Sequence, residues 1–226
     1  GDVYKRQVVR AFEQFLGWLW TQLYDGVQVH HFERVRTLAP DYQVVYVPCH
    51  RSHMDYLLLS YIIHNHGLRV PHVAAGANLN IPILGEILRS AGAFFLRRSF
   101  RDNPLYGTVL KEYLHNLMQL SSPIEYFIEG GRSRSGRLLT PKMGMLAMTV
   151  ASHLKAPTKP VVFIPTYISY ERIMEGATYV GELKGKPKQS ENLLGLIKTA
   201  RKIERIYGQV NLSFGTPLFL DDFLDK

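Results

Sequence analysis

Apolar side chains recur at helical spacing near the start of the chain. Phe12, Phe15, Leu16, Leu19, Trp20 and Leu23 share one broad face, so the pattern predicts a helix over 8–24. Such a helix either lies in a lipid interface or packs on a core. Lys and Arg are scarce beside the apolar face, which favours the core, because interfacial helices carry cations there. Val44, Val45, Tyr46 and Val47 then form a short, fully apolar and mostly β-branched run, as a buried strand requires.

Strand and helix patterns alternate from that point. Helices are predicted over 55–64, 83–90, 104–120, 141–153 and 193–207, with Pro104 and Pro141 at two of the starts. Strands are predicted over 70–75, 93–96, 124–128, 161–164 and 210–214, and 181–190 reads as a polar, Lys-rich surface loop. No internal repeat is visible. The alternation predicts an α/β domain, a mostly parallel central sheet flanked by helices. Residues 1–7 read as a non-native or disordered start, 8–40 as an N-terminal helix and linker, and 41–226 as the α/β domain, a fragment of a longer chain.

Composition narrows the class without choosing the activity. Of 226 residues, 46% are hydrophobic and 20% charged, enough for a real core and too apolar for a disordered tail. A single cysteine, Cys49, excludes an internal disulfide framework and a Cys-rich zinc module. The net charge of +8 favours anionic partners: a phosphorylated substrate, an anionic membrane surface or nucleic acid. Nucleic acid ranks last, because the aromatics lie inside apolar runs instead of interleaving a basic face. No run reaches the roughly 18 to 20 apolar residues of a membrane-spanning helix.

Chemistry concentrates where predicted strands end. His50 follows the first strand, and Asp55 comes five residues later. On one continuous helix the two would stand about 140° apart. They meet if His50 lies in the loop and Asp55 in the first helical turn, with Ser52 as a candidate N-cap. A carboxylate on one ring nitrogen fixes the tautomer and frees the other nitrogen as a base. The alternative is a surface histidine that happens to precede an acidic helix start. Cys49, adjacent to His50 on the strand, belongs to the opposite face and so to the core. His53 with His50 and Asp55 raises a metal site, as in a metal-dependent phosphoesterase, but no further carboxylate is spaced to complete the shell. No metal and no cofactor is expected.

Two groups of arginines occupy similar positions. Arg97, Arg98 and Arg101 follow the 93–96 strand. Glu129, Gly130, Gly131, Arg132, Ser133, Arg134 and Arg137 follow the 124–128 strand. Guanidinium groups grip phosphate through paired hydrogen bonds, and adjacent glycines let backbone amides approach an anion. Glu129 is positioned to orient one guanidinium. The bland alternative is a solvated basic rim. Gly131 and Gly136 have a Walker-like step, but Arg137-Leu138 replaces the required Lys-Ser/Thr, and no Gly-x-Ser-x-Gly elbow is present.

Taken together, these blocks resemble the glycerolipid acyltransferases. His50-Arg51-Ser52-His53-Met54-Asp55 is similar to their His-x4-Asp block. Gly92 to Arg98 is similar to the second block, Phe127 to Arg134 to the third and Val162 to Tyr170 to the fourth, all in family order. The long first and third blocks resemble the bacterial membrane-associated glycerol-3-phosphate 1-O-acyltransferases. The resemblance implies acyl transfer from acyl-CoA or acyl-carrier protein to the sn-1 hydroxyl of glycerol 3-phosphate. It implies that 41–226 is the catalytic domain, at the cytoplasmic face of a bacterial inner membrane. It makes His50 the base and Asp55 its orienting partner. Phe95, Arg97, Arg98, Glu129, Gly130, Arg132, Ser133 and Arg134 become the acceptor pocket, and Pro165 marks the acyl side. Acylation of dihydroxyacetone phosphate or lysophosphatidate is the nearest alternative. For the oxyanion, amides at the helix start near Ser52 are the candidates.

Overall fold

The computed structural model describes residues 6–82, 84–97, 103–173, 175–184 and 207–224. Its strands are β1 (Gly26–His30), β2 (Gln43–Pro48), β3 (His72–Gly76), β4 (Ala93–Leu96), β5 (Ile124–Glu125), β6 (Val161–Tyr170), β7 (Gln209–Phe214) and β8 (Leu218–Phe219). Its helices are α1 (Arg6–Leu23), α2 (Phe32–Leu38), α3 (Asp55–Asn65), α4 (Leu84–Ser90), α5 (Pro104–Gln119), α6 (Gly144–Lys155) and α7 (Gly176–Leu183), with a last turn at Asp221–Leu224.

The strands form one sheet in the order β1-β7-β6-β2-β5-β3-β4, with β8 also paired to β6. From β6 to β4 every pairing is parallel, while β7 and β8 run antiparallel to β6. The sheet is therefore mostly parallel, as the alternating pattern predicts. Both faces are covered, because alternate residues of each strand point opposite ways. Val44 and Tyr46 face α1, α2, α3 and α4, whereas Val45 and Ile124 face α5 and α6. Parallel pairing also sends the carboxyl ends of β2, β3, β4, β5 and β6 to one edge, where open α/β sheets bind ligands.

Several boundaries differ from expectation. The 8–40 stretch is more than a helix and linker. Gly26–His30 is β1, in parallel register with β7, and α2 follows it. Val27 and Val29, alternating with Gln28 and His30, were the period-2 signal. The strand expected over 124–128 pairs only at Ile124 and Glu125 before the chain turns into the Gly-rich loop. The helix expected from Pro141 starts at Gly144, because the Lys142 N–H is held by the Ile128 carbonyl at 2.7 Å. The strand expected over 161–164 continues to Tyr170. Pro165, which lacks an N–H, sits where the antiparallel neighbour changes from β8 to β7. Gly181 to Leu183 close α7 instead of opening a loop. Residues 185–190, and 193–206 of the last expected helix, lie outside the described residues.

The first helix packs on the core. Leu16, Leu19, Trp20 and Leu23 are buried, with the Trp20 ring tilted against Tyr61 of α3. Among the described residues, no helix is long and apolar enough to cross a membrane.

Candidate active site

The end of β2 sets the first part of the site. Cys49 continues the strand, its N–H reaching the Thr166 carbonyl at 2.9 Å, and its thiol accepts the Ile168 N–H at 3.3 Å. It is a core residue, as its parity requires, and burial pushes the thiol pKa up. One residue on, the chain turns and His50 faces a cleft. Its Nδ1 meets Asp55 Oδ2 at 2.9 Å, and the ring stacks on Phe127 with centroids 3.9 Å apart.

Asp55 opens α3 and is completely buried. Oδ2 also accepts the N–H groups of Arg51 at 2.6 Å and Ser52 at 2.9 Å, and Oδ1 accepts the Tyr170 hydroxyl at 2.7 Å. A buried carboxylate is costly unless donors of this kind satisfy its oxygens. With Nδ1 committed to Asp55, Nε2 is the ring nitrogen left to accept a proton. Ser52 is not the N-cap. That position is Met54, and Ser52 Oγ takes the Met54 N–H at 3.1 Å while donating to Glu175 at 2.9 Å. The amides proposed for an oxyanion are all engaged. Arg51 and Ser52 give theirs to Asp55, His53 gives its to Glu175, and Met54 gives its to Ser52. None of these four amides is free to meet an oxyanion.

The cleft, about 730 Å³, is lined by His50 and His53, by Arg97, Arg132, Arg134 and Lys142, and by an apolar wall including Leu79, Leu96, Met145 and Met148. No carboxylate lines it among the described residues. Arg97 reaches it from the end of β4, its guanidinium over the Tyr106 ring at 4.9 Å. Arg132 and Arg134 come from the loop after β5. Arg132 donates to the Tyr179 hydroxyl at 2.8 Å and lies 3.6 Å from Glu175, and Arg134 also covers the Tyr179 ring. Tyr179 in turn donates to the Arg51 carbonyl at 3.1 Å. Gly130, at φ +62, is where the loop meets Lys142. A Cβ there would fall 2.6 Å from the flexible Lys142 side chain, which can move aside, so the backbone angle is what calls for glycine.

Other expected site residues support the cleft without lining it. Glu129 does not orient a guanidinium. Its two oxygens accept the N–H groups of His50 at 3.0 Å and Leu139 at 2.7 Å, binding the two loops together. The acid beside Arg132 is Glu175, which motif reading did not single out because it lies outside the four blocks, far down the chain from Arg132. Ser133 is buried. Its N–H bonds the His50 carbonyl at 2.8 Å and its hydroxyl bonds the Arg137 carbonyl. Phe95 packs under Arg89, 5.3 Å from ring to guanidinium, and Pro165 pairs with Val47 inside the sheet. Arg98 and Arg101 lie outside the described residues. Lys142 and Tyr179 are further residues of the site that carried no motif signal, and Tyr170, the last residue of the fourth block, was given no role there.

Burial sets the remaining charges. His53 is 6% exposed, and its pKa falls to about 3 through burial, then through Arg132 and His50 nearby, so it is neutral. Burial raises the Glu175 carboxyl, opposed by the donors from His53 and Ser52. No three His, Cys, Asp or Glu side chains group as a metal site among the described residues. Asp55 has both oxygens committed to protein donors.

Residues 26–169 match a family model described as acyltransferase, and residues 179–226 match the glycerol-3-phosphate acyltransferase C-terminal region. Proteins named glycerol-3-phosphate acyltransferase from Ectopseudomonas mendocina and Pseudomonas putida are each 52% identical over 223 residues, covering 99% of this chain. The chain spans 27% of the length of these curated relatives. In fold it is similar to a crystal structure of the 1-acyl-sn-glycerophosphate acyltransferase from Thermotoga maritima. That match has TM-score 0.54 and 20% identity, and covers 95% of this chain and 68% of the other. With the match extending from β1 through most of β6, the chain belongs to the acyltransferase family.

Proposed function

We propose that this chain is the catalytic domain of a glycerol-3-phosphate 1-O-acyltransferase. It moves a fatty acyl group from acyl-CoA or acyl-carrier protein to the sn-1 hydroxyl of glycerol 3-phosphate. One observation carries the reading: the His50–Asp55 pair opens onto the same cleft as Arg97, Arg132, Arg134 and Lys142. A dianion held by those cations brings the acceptor hydroxyl to the imidazole. The 52% identical relatives named for this activity support the acceptor.

The reaction needs no covalent enzyme intermediate. His50 Nε2 takes the hydroxyl proton as the oxygen attacks the thioester carbonyl, and Asp55 stabilises the imidazolium. The tetrahedral intermediate collapses, the carbon–sulfur bond breaks, and the departing thiolate takes the proton back from the ring. A thiolate is a good leaving group, its conjugate pKa being about 8.5. The apolar wall of Leu79, Leu96, Met145 and Met148 suits the start of the acyl chain. The product carries a fatty chain and the domain is strongly basic, which supports work at the anionic cytoplasmic face of a bacterial inner membrane.

The test is thiol release from palmitoyl-CoA by the full-length protein, with glycerol 3-phosphate, dihydroxyacetone phosphate or lysophosphatidate as acceptor. Release should depend on an acceptor and be fastest with glycerol 3-phosphate. Release that ignores the acceptor, or is fastest with either alternative, overturns the assignment. His50→Ala should abolish turnover and leave glycerol 3-phosphate binding nearly intact.

A further inference from the structure

We infer that His53 determines acceptor specificity: its ring hydrogen-bonds the second hydroxyl of the acceptor, the one that is not acylated. The inference rests on glycerol 3-phosphate being the acceptor. His53 lines the cleft with His50 and Arg132, yet its Nε2 is inaccessible and meets no protein partner. A buried polar atom left in that state is costly, so a site of this kind is completed by its ligand. The backbone of His53 is anchored from behind, so rotation about its side-chain torsions alone presents the ring nitrogen to the acceptor. The His53 N–H is held by Glu175 Oε1 at 3.0 Å, and the same carboxylate takes the neighbouring Ser52 hydroxyl.

The chemistry of the ring selects the partner. A neutral imidazole offers one donor and one acceptor, which matches a hydroxyl and not a phosphate dianion. Its neighbours fix where that hydroxyl stands on the acceptor. His50 requires the reacting hydroxyl at one end, and Arg132 suits the phosphate at the other. The group between them in glycerol 3-phosphate is the hydroxyl on the central carbon.

The comparison is between glycerol 3-phosphate and 3-hydroxypropyl phosphate, which keeps the phosphate and the reacting alcohol but lacks the central hydroxyl. In the full-length protein, kcat/KM should favour glycerol 3-phosphate by about tenfold or more. In His53→Leu that ratio should fall to near one, through loss on glycerol 3-phosphate alone. In His53→Gln, whose amide can still donate, much of it should survive. The ratio does not depend on the folded fraction. Where turnover is too slow, calorimetric binding of the two acceptors to His50→Ala, with and without His53→Leu, reads the same preference. An unsubstituted protein that treats the acceptors alike, or a preference untouched by His53→Leu, overturns the role of His53 and leaves the acylation reading standing. No acceptor-dependent thiol release from the unsubstituted protein overturns both.

Discussion

Asp55 receives four donors, and three of them have nothing to do with proton transfer to substrate. The amides of Arg51 and Ser52 fold the loop around the carboxylate, so the loop that presents His50 is built on the group that orients it. Tyr170 is the donor that can be removed without touching that loop. Tyr170→Phe leaves Oδ1 unpaired in a buried site and should lower kcat by about 10- to 100-fold with little change in KM, as steady-state kinetics will show. Arg132 stands on the binding side of the cleft. Arg132→Ala should raise KM for glycerol 3-phosphate by about 10- to 100-fold while kcat changes little; an unchanged KM moves the phosphate grip to another cation. At these positions the chain was legible as far as local spacing reaches. His50 and Asp55 are five residues apart, and a strand-to-helix turn brings them together. Glu175 lies more than a hundred residues from Ser52 and contacts it only through the fold, so no local pattern announced it.

Among the elements, α1 was readable because its apolar residues keep the helical period, and β1 was overlooked because five residues give period 2 little room. The longer β6 was hidden by Pro165, which reads as a strand end until the switch of neighbours from β8 to β7 is known. The role of α1 can be measured. Leu19 is fully buried, so Leu19→Ala should cost about 2–5 kcal/mol in denaturant unfolding, whereas a helix resting on lipid would lose little. The start of α3 teaches a related lesson. Ser at 52 and Asp at 55 look like cap and first turn, but the fold assigns the serine to Glu175 and lets the aspartate gather the free amides.

For the molecule entire, the sheet carries an acid at its centre. Glu125, on β5 between β2 and β3, is fully buried and neither oxygen has a partner. Burial first, and then the charge of Asp55, raise its pKa well above 4.5. The folded protein thus keeps a proton that the unfolded chain releases above that value, and this acid weakens the fold increasingly as pH rises. Glu125→Gln should therefore raise the melting temperature more at pH 8 than at pH 5, and an equal shift at both would place the charge elsewhere. His53 acts with the opposite sign. Held neutral when folded and charged when unfolded at acid pH, it costs stability as pH falls from about 6.5 toward 3.

Glu175 and Tyr179 come from beyond the segment that supplies the base and the arginines, yet they hold the loop that follows His50 and the side chain of Arg132. A hybrid that splices a foreign tail after β6 would keep its proton-transfer pair, because Tyr170 travels with the front half. Its grip on the acceptor, by contrast, would depend on whether the donor of the tail happens to supply an acid and a phenol at those two places.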